Sequence, residues 1–382
     1  MKHLLVLNNG SSSLKFAVFE TVGQKLGKEI LSGAVSLSGD KSVLSYRLKR
    51  KKYKINYQSG YNIKLWWEYI YDLLGQFDIQ YVGFRMVHGG EEFTSTTKVD
   101  SLFLNKIKKY NKLAPLHNPV TLLLIRLVKT SLPRVKMSVS FDTSWYKNLE
   151  PEAYLYSIPL KYYTEHKIRK YGFHGLSHEA ATSYAGLLLH KKPDKLRLIT
   201  CHLGSGSSIT WYMDGLVKDT TMGFSPNEGL TMATRSGDIP ANIVFYLAKS
   251  AKMTLIEINK LLNKKSGLLG LSGMADLREV LLASGYKVEG YKSKKKFSPL
   301  QKKSARLALH IYIYDIKRYL ASYLGMSKNL DAIVFTGAVG ANPQIRKMVL
   351  AGLNIDKKTK VLFAPEGEIE NIAKKTILCL IK

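Results

Sequence analysis

The chain has 382 residues, 45% of them apolar, and 58 Lys and Arg against 29 Asp and Glu leave a formal charge of +29. That length exceeds one ordinary core and suits two of about 150 to 200 residues each. The N-terminal apolar run, Leu4 to Leu7, is too short for a signal-peptide core, and no stretch reaches membrane-spanning length, so a cytoplasmic chain with no membrane partner is expected. Cys201 and Cys379 are far apart and fit neither a zinc spacing nor a disulfide framework.

Taken in chain order, residues 4–19 read as an apolar strand, a small polar turn (Asn8-Asn9-Gly10-Ser11-Ser12-Ser13) and an alternating strand, which is a hairpin signal. A basic run follows, Arg47-Leu48-Lys49-Arg50-Lys51-Lys52-Tyr53-Lys54, with a second in 292–303. Neither run has the regular aromatic interleaving of a single-strand binder or the spacing of a DNA-binding motif. Both are read as solvated faces that attract small anions, and nucleic acid is not an expected partner. Helical apolar spacing covers 65–77, 102–113, 119–132, 178–190, 239–251 and 300–324, and 330–336 reads as a buried strand. Residues 198–213 repeat the opening plan around Gly204-Ser205-Gly206-Ser207-Ser208. Gly and Ser in a tight turn expose backbone N–H groups and hydroxyls without bulk, as a polyphosphate requires. The recurrence half a chain apart points to duplicated α/β lobes, each opening with a phosphate-gripping hairpin, with a nucleotide cleft between them.

Familiar alternatives are missing. No stretch satisfies a Walker A loop, and Ile209 stands where a third Gly would complete G-x-G-x-x-G after Gly204. There is no G-x-S-x-G elbow. His174 and His178 have the spacing of a metal-binding pair, but Gly175 stands where the zincin motif needs Glu, so no transition metal is expected.

Six segments together carry a resemblance over nearly the whole chain: Leu7-Asn8-Asn9-Gly10-Ser11-Ser12-Ser13-Leu14-Lys15-Phe16, Arg85-Met86-Val87-His88-Gly89-Gly90, Leu113-Ala114-Pro115-Leu116-His117-Asn118-Pro119, Phe141-Asp142-Thr143, Phe173-His174-Gly175-Leu176-Ser177-His178 and Thr234-Arg235-Ser236-Gly237-Asp238-Ile239. In this order they resemble the acetate kinase family. The resemblance implies two similar actin-like (ribonuclease H-like) lobes, with 1–143 and 371–382 in one and 144–370 in the nucleotide-binding other. It also implies a homodimer and a reversible, magnesium-dependent transfer between ATP or ADP and acetate or acetyl phosphate, with manganese as a substitute ion.

The same resemblance assigns residues. Arg85 and Arg235 fall to the acceptor carboxylate and the phosphoryl in flight, His174 to a transition-state donor, and Asp142 to the catalytic aspartate. Asn8 and Glu368 match magnesium positions, with Glu366 and Glu370 as alternatives to Glu368. Val87, Leu116 and Pro226 match the acyl pocket, and His117 another cleft histidine. Nucleotide positions are Ser11, Ser13, Lys15, His202, Gly204, Ser205, Gly206, Asp276, Leu277, Arg278, Ala338, Val339, Gly340, Ala341 and Asn342. The acceptor is already an anion, so His174 is expected to stabilise charge rather than abstract a proton. Four departures stand out: Ser205 for an Asn, Ala341 for an acid, Phe84 for a His, and Trp145-Tyr146 for Phe-His. Two of these touch nucleotide positions and suggest altered nucleotide affinity or donor choice. Propionate kinase, and a non-catalytic nucleotide switch on the same fold, are the alternatives.

Overall fold

The computed structural model of the chain describes residues 2–10, 13–293 and 295–381. Its strands, in chain order, are β1 (Lys2–Asn9), β2 (Ser13–Val22), β3 (Lys25–Ser38), β4 (Lys41–Leu48), β5 (Lys51–Tyr57), β6 (Asp78–Met86), β7 (Thr97–Lys98), β8 (Lys136–Phe141), β9 (Arg197–Leu203), β10 (Ser207–Met213), β11 (Leu216–Thr220), β12 (Ala332–Thr336) and β13 (Lys360–Phe363). They form two sheets, in the orders β5-β4-β3-β2-β1-β6-β8-β7 and β11-β10-β9-β12-β13.

The two sheets share one plan. In the first, β1 pairs antiparallel with β2 and β2 with β3, while β6 and β8 continue from β1 in parallel. In the second, β9, β10 and β11 repeat the antiparallel part, and β12 and β13 the parallel part. This shared order is the duplication that the two Gly/Ser hairpins signalled. The central strands are buried on both faces, as parallel strands covered by helices must be: Leu4 to Leu7 and Ile333 to Phe335 are at most 1% exposed.

Two compact units result, Met1–Lys147 with Gly367–Lys382, and Asn148–Glu366. The last helix, Glu368–Leu380, therefore belongs to the first sheet. Its Ile372, Ala373, Thr376 and Ile377 form one buried helical face, packed on β1, β6 and β8. The approach is close: a Cβ on Gly83 would lie 2.2 Å from Thr376 Oγ1, so only glycine fits on β6 beneath the helix. That packing brings Glu368, at the helix N-terminus, to the end of β6.

In the second unit the helix Gly175–Leu189 packs on β9 and β12. The long helix Pro299–Met326 is started by a Ser298/Gln301 capping box and buries Ala305, Ala308, Leu309, Tyr312, Ile316 and Leu320. The helix expected over 65–77 starts at Ile63, capped by Asn62, whose side chain accepts from Lys64 and Leu65 N–H, but stops at Tyr71. That over 102–113 is α-helix only to Lys106 and 3-10 helix beyond; the others move by at most three residues at either end. Not anticipated was the meander β3–β5, which widens the first sheet. Its Arg47-to-Lys54 run forms the β4–β5 hairpin, turning at Lys49 and Arg50 with φ of 46° and 68°. Among the described residues no helix is long and apolar enough to cross a membrane.

Candidate functional site

In the first unit, the ends of β1, β6 and β8 deliver Asn8, Arg85 and Asp142 to one place. The Arg85 guanidinium donates from Nη2 to Asp142 Oδ2 at 2.6 Å and from Nε to Oδ1 at 3.0 Å. Nη1 donates to the Asn9 carbonyl at 3.1 Å and more weakly to Asn8 Oδ1 at 3.4 Å. Glu368 Oε1 lies 3.2 Å from Nε. Burial opposes the charge on Arg85, but Asp142 and Glu368 outweigh it and hold the guanidinium above its ordinary range. Glu370 instead pairs with Lys374 at 2.7 Å on the solvent side, so of those two acids only Glu368 reaches the arginine.

These groups fit a hard cation in part. Asn8 and Glu368 offer oxygen donors only, as magnesium prefers, and such an ion keeps several waters and substrate oxygens. Among the described residues no cluster of three acids, His or Cys could cage an ion. Asn8 and Glu368 by themselves would leave most positions around such an ion to water.

Other expected residues of this unit are placed as follows. Lys15 on β2 pairs with Asn8 on β1, and the Ser13 carbonyl accepts from Gly10 N–H at 2.8 Å, closing the turn. Ser11 lies outside the described residues. Val87 is 5% exposed, whereas Leu116 is 57% exposed. His117 opens the helix Asn118–Ser131. Phe84 and Tyr146 are at most 1% exposed, so these two side chains are core packing, while Trp145 is half-buried.

In the second unit, His174 takes φ of 58° just before the helix Gly175–Leu189, an uncommon conformation for a non-glycine residue. Its imidazole and Arg235 meet over Gly206: a Cβ there would lie 3.1 Å from His174 Nε2 and 3.5 Å from Arg235 Nη1. The glycine is what admits both side chains. Arg235 Nη1 also donates to the Pro226 carbonyl at 2.8 Å, so the contact Pro226 makes is through its backbone. The arginine loop is pinned on both sides. Ala233 N–H donates to the Ser205 carbonyl at 3.2 Å, and Leu268 N–H to the Met232 carbonyl at 2.9 Å. His202 sits 4.3 Å, ring to ring, from His174, and its Nδ1 is 2.8 Å from Ser177 Oγ.

Beside this turn is a cavity of about 470 Å³, lined by Gly204, Ser205, Asp276, Leu277, Arg278, Ala338, Val339 and Asn342 among others. Its size lies within the range of small-molecule sites, about 300 to 1,000 Å³. Gly337, with φ of 83°, passes so near β9 that a Cβ would lie 2.5 Å from the Leu203 carbonyl. Gly340 and Ala341 turn their carbonyls to Arg346, and Asn342 caps the helix Pro343–Leu350. Asp276 is held below the usual carboxylate range: burial raises it, and the bonds from Arg278 more than offset this. Sequence reasoning missed Leu268, Leu281 and Tyr312 in the lining, whose helical spacing signals only a core face, and it missed Thr200 and Ser208 beside His178.

A sequence model described as the acetokinase family matches residues 3–376. The chain belongs to the acetokinase family. The acetate kinase of Clostridium novyi is 37% identical over 386 aligned positions, covering 97% of this chain and 91% of the relative. A propionate kinase from Francisella tularensis superposes with a TM-score of 0.87 at 32% identity, and Porphyromonas gingivalis acetate kinase with 0.83 at 30%, each over 100% of both chains. As in those acetokinase structures, the fold is two actin-like lobes. Of the two departures at expected nucleotide positions, Ser205 lines the cavity, while Ala341 is exposed and is not part of its lining.

Proposed function

We propose that the chain transfers the terminal phosphoryl group of ATP directly to acetate, giving acetyl phosphate and ADP, and that the transfer is reversible. The observation that carries this reading is the meeting of His174 and Arg235 over Gly206, one residue from the Ser205 edge of the cavity. An acetate oxygen forms the new bond to phosphorus as the bond to the β-phosphate bridging oxygen breaks. No proton moves. The protein's task is then positioning and charge stabilisation.

Arg85, its fork set by Asp142, would bind the acceptor carboxylate, with Val87, Leu116 and Pro226 around the methyl group. Arg235 and His174 would donate to the equatorial oxygens, where charge accumulates. The nucleotide would occupy the cavity, with its phosphates at the hairpin turn that carries Gly204, Ser205 and Gly206, and with Lys15, Ser13 and His202 also on phosphates. Magnesium, held by Asn8 and Glu368 through its waters, would neutralise phosphate charge. The retained acceptor clamp disfavours a non-catalytic switch, which has no use for one. The homodimer and the cytoplasmic setting belong to the same proposal.

A propionate kinase is the second reading, favoured by the fit to the Francisella structure; one methylene in a small apolar pocket is worth only about 1 to 3 kcal/mol, so the acids are compared directly. A hydroxamate assay with acetate, propionate and butyrate, repeated with ATP, GTP and pyrophosphate, separates these readings. Acetate is expected to give the highest kcat/KM, and Arg235→Ala to lose at least about 100-fold, since one transition-state donor is typically worth about 2.7 to 4 kcal/mol. Background rates with every acid and donor would overturn the reading.

A further inference from the structure

Behind His174 lies a buried chain of polar groups that the transfer reading does not use. Ser208 Oγ is 2.9 Å from His174 Nδ1 and 2.8 Å from His178 Nε2. His178 Nδ1 is in turn 2.7 Å from Thr200 Oγ1. Ser208, His178 and Thr200 are all fully buried. The elements explain the contact: Thr200 and Ser208 sit on the paired strands β9 and β10, and His178 is one turn into the helix that packs on β9, four residues after His174.

The hydrogens in such a chain must all point the same way. Ser208 has one hydroxyl hydrogen, so it donates to one imidazole and accepts from the other. His178 is kept neutral by burial first and by His202 second, and so has one N–H and one lone pair. Thr200 decides the direction. Its hydroxyl has a good acceptor in His178 Nδ1 at 2.7 Å, and the reverse arrangement, with His178 Nδ1–H donating, would leave the buried Thr200 hydrogen only the Thr210 carbonyl at the marginal distance of 3.5 Å. His178 then carries its hydrogen on Nε2 and donates to Ser208, which donates to His174 Nδ1. The hydrogen of a neutral His174 is left on Nε2, the nitrogen lying over Gly206.

We propose that Ser208 and His178 are positioning residues that fix His174 as its Nε2–H tautomer, so that an uncharged imidazole presents a hydrogen to the phosphoryl group. The proposal rests on the transfer reading above. In the opposite tautomer a neutral His174 would turn a lone pair toward an anion. Which ring nitrogen bears the hydrogen is set by the bond that the other one makes.

The test uses the full chain labelled with ¹⁵N-histidine, in two-bond ¹H–¹⁵N spectra at pH 8 without substrates, the His174 signals being identified by their loss in His174→Gln. The wild type should show His174 as the Nε2–H form. Ser208→Ala, and His178→Leu, which removes the donor to Ser208, should show a mixture of both tautomers. Ser208→Ala should also lower kcat about tenfold or more, with the KM values for acetate and ATP within about twofold of wild type, as expected when a supporting contact is lost. Ser208→Thr keeps the hydroxyl and should restore both the tautomer and the rate, which a purely structural role for the serine would not explain. An Nδ1–H form in the wild type, or an unmixed tautomer and unchanged kcat in Ser208→Ala, would overturn the proposal. Because the spectra need no substrate, failure of phosphoryl transfer in the wild type would remove the functional reading without mimicking either result.

Discussion

Asp142 grips Arg85 along one edge of the guanidinium, Oδ2 against Nη2 at 2.6 Å and Oδ1 against Nε at 3.0 Å. The side chains are only 1% and 13% exposed, so the pair is bidentate and shielded from water, where charge-assisted bonds are strongest. Removing one member of a buried pair typically costs about 3 to 5 kcal/mol, because the other is left uncompensated. Glu368 reduces that cost here by remaining 3.2 Å from Nε.

Asp142→Asn is therefore expected to fold, and to lose the aim of Arg85. Its kcat/KM for acetate should fall at least about 100-fold, the usual consequence of a misplacement of about 1 Å. Steady-state hydroxamate kinetics, with circular dichroism to confirm folding, make the comparison. Wild-type kinetics in this variant would show that the arginine needs no such holder.

Ala338 lines the cavity beside the hairpin turn. Ala338→Phe would fill part of its roughly 470 Å³ and should raise the KM for ATP about tenfold, while the KM for acetate stays within about twofold, a ratio of about 1.4 kcal/mol. If both KM values rise together, the cavity does not hold the nucleotide.

His88 supplies a pH-dependent term in stability. It is fully buried, its Nδ1 accepts from Gly90 N–H at 3.0 Å, and burial pushes its pKa down to about 3 from 6.5. Between those values the unfolded chain binds a proton that the folded chain refuses. Stability therefore falls as pH falls through that window, by up to about 1.4 kcal/mol per pH unit from this group. His88→Gln should flatten the slope of unfolding free energy against pH from 6.5 to 4.5 by about that amount, read from urea denaturation at several pH values. An identical slope in both proteins would show that His88 titrates normally.

The duplicated fold was readable because the apolar run Leu4 to Leu7 and the mostly apolar Leu198-Ile199-Thr200-Cys201 both lead into Gly/Ser turns, a pattern set by burial of the strands on both faces. The hairpin of β4 and β5 was not readable: its turn is Lys49-Arg50, without the Asn-Gly or Gly-Gly that normally marks positive φ. Arg85 and Asp142 are 57 positions apart in the chain, and only adjacent parallel strands make them neighbours. Ser208 gave no signal, since a hairpin serine looks the same whether it faces water or two imidazoles. Leu116 shows the opposite limit: it matches an acyl-pocket position, yet its side chain is mostly exposed.

The outermost strand of the first sheet, β5, consists of Lys51-Lys52-Tyr53-Lys54-Ile55-Asn56-Tyr57 and is exposed along nearly its whole length. Such an edge has unpaired backbone groups that could template a strand from another chain. Here a copy docking parallel and in register would place lysine beside lysine at three positions, which like-charge repulsion opposes. The basic run that opened as a question of partners thus acts as a guard: it keeps an eight-stranded sheet from becoming a longer one.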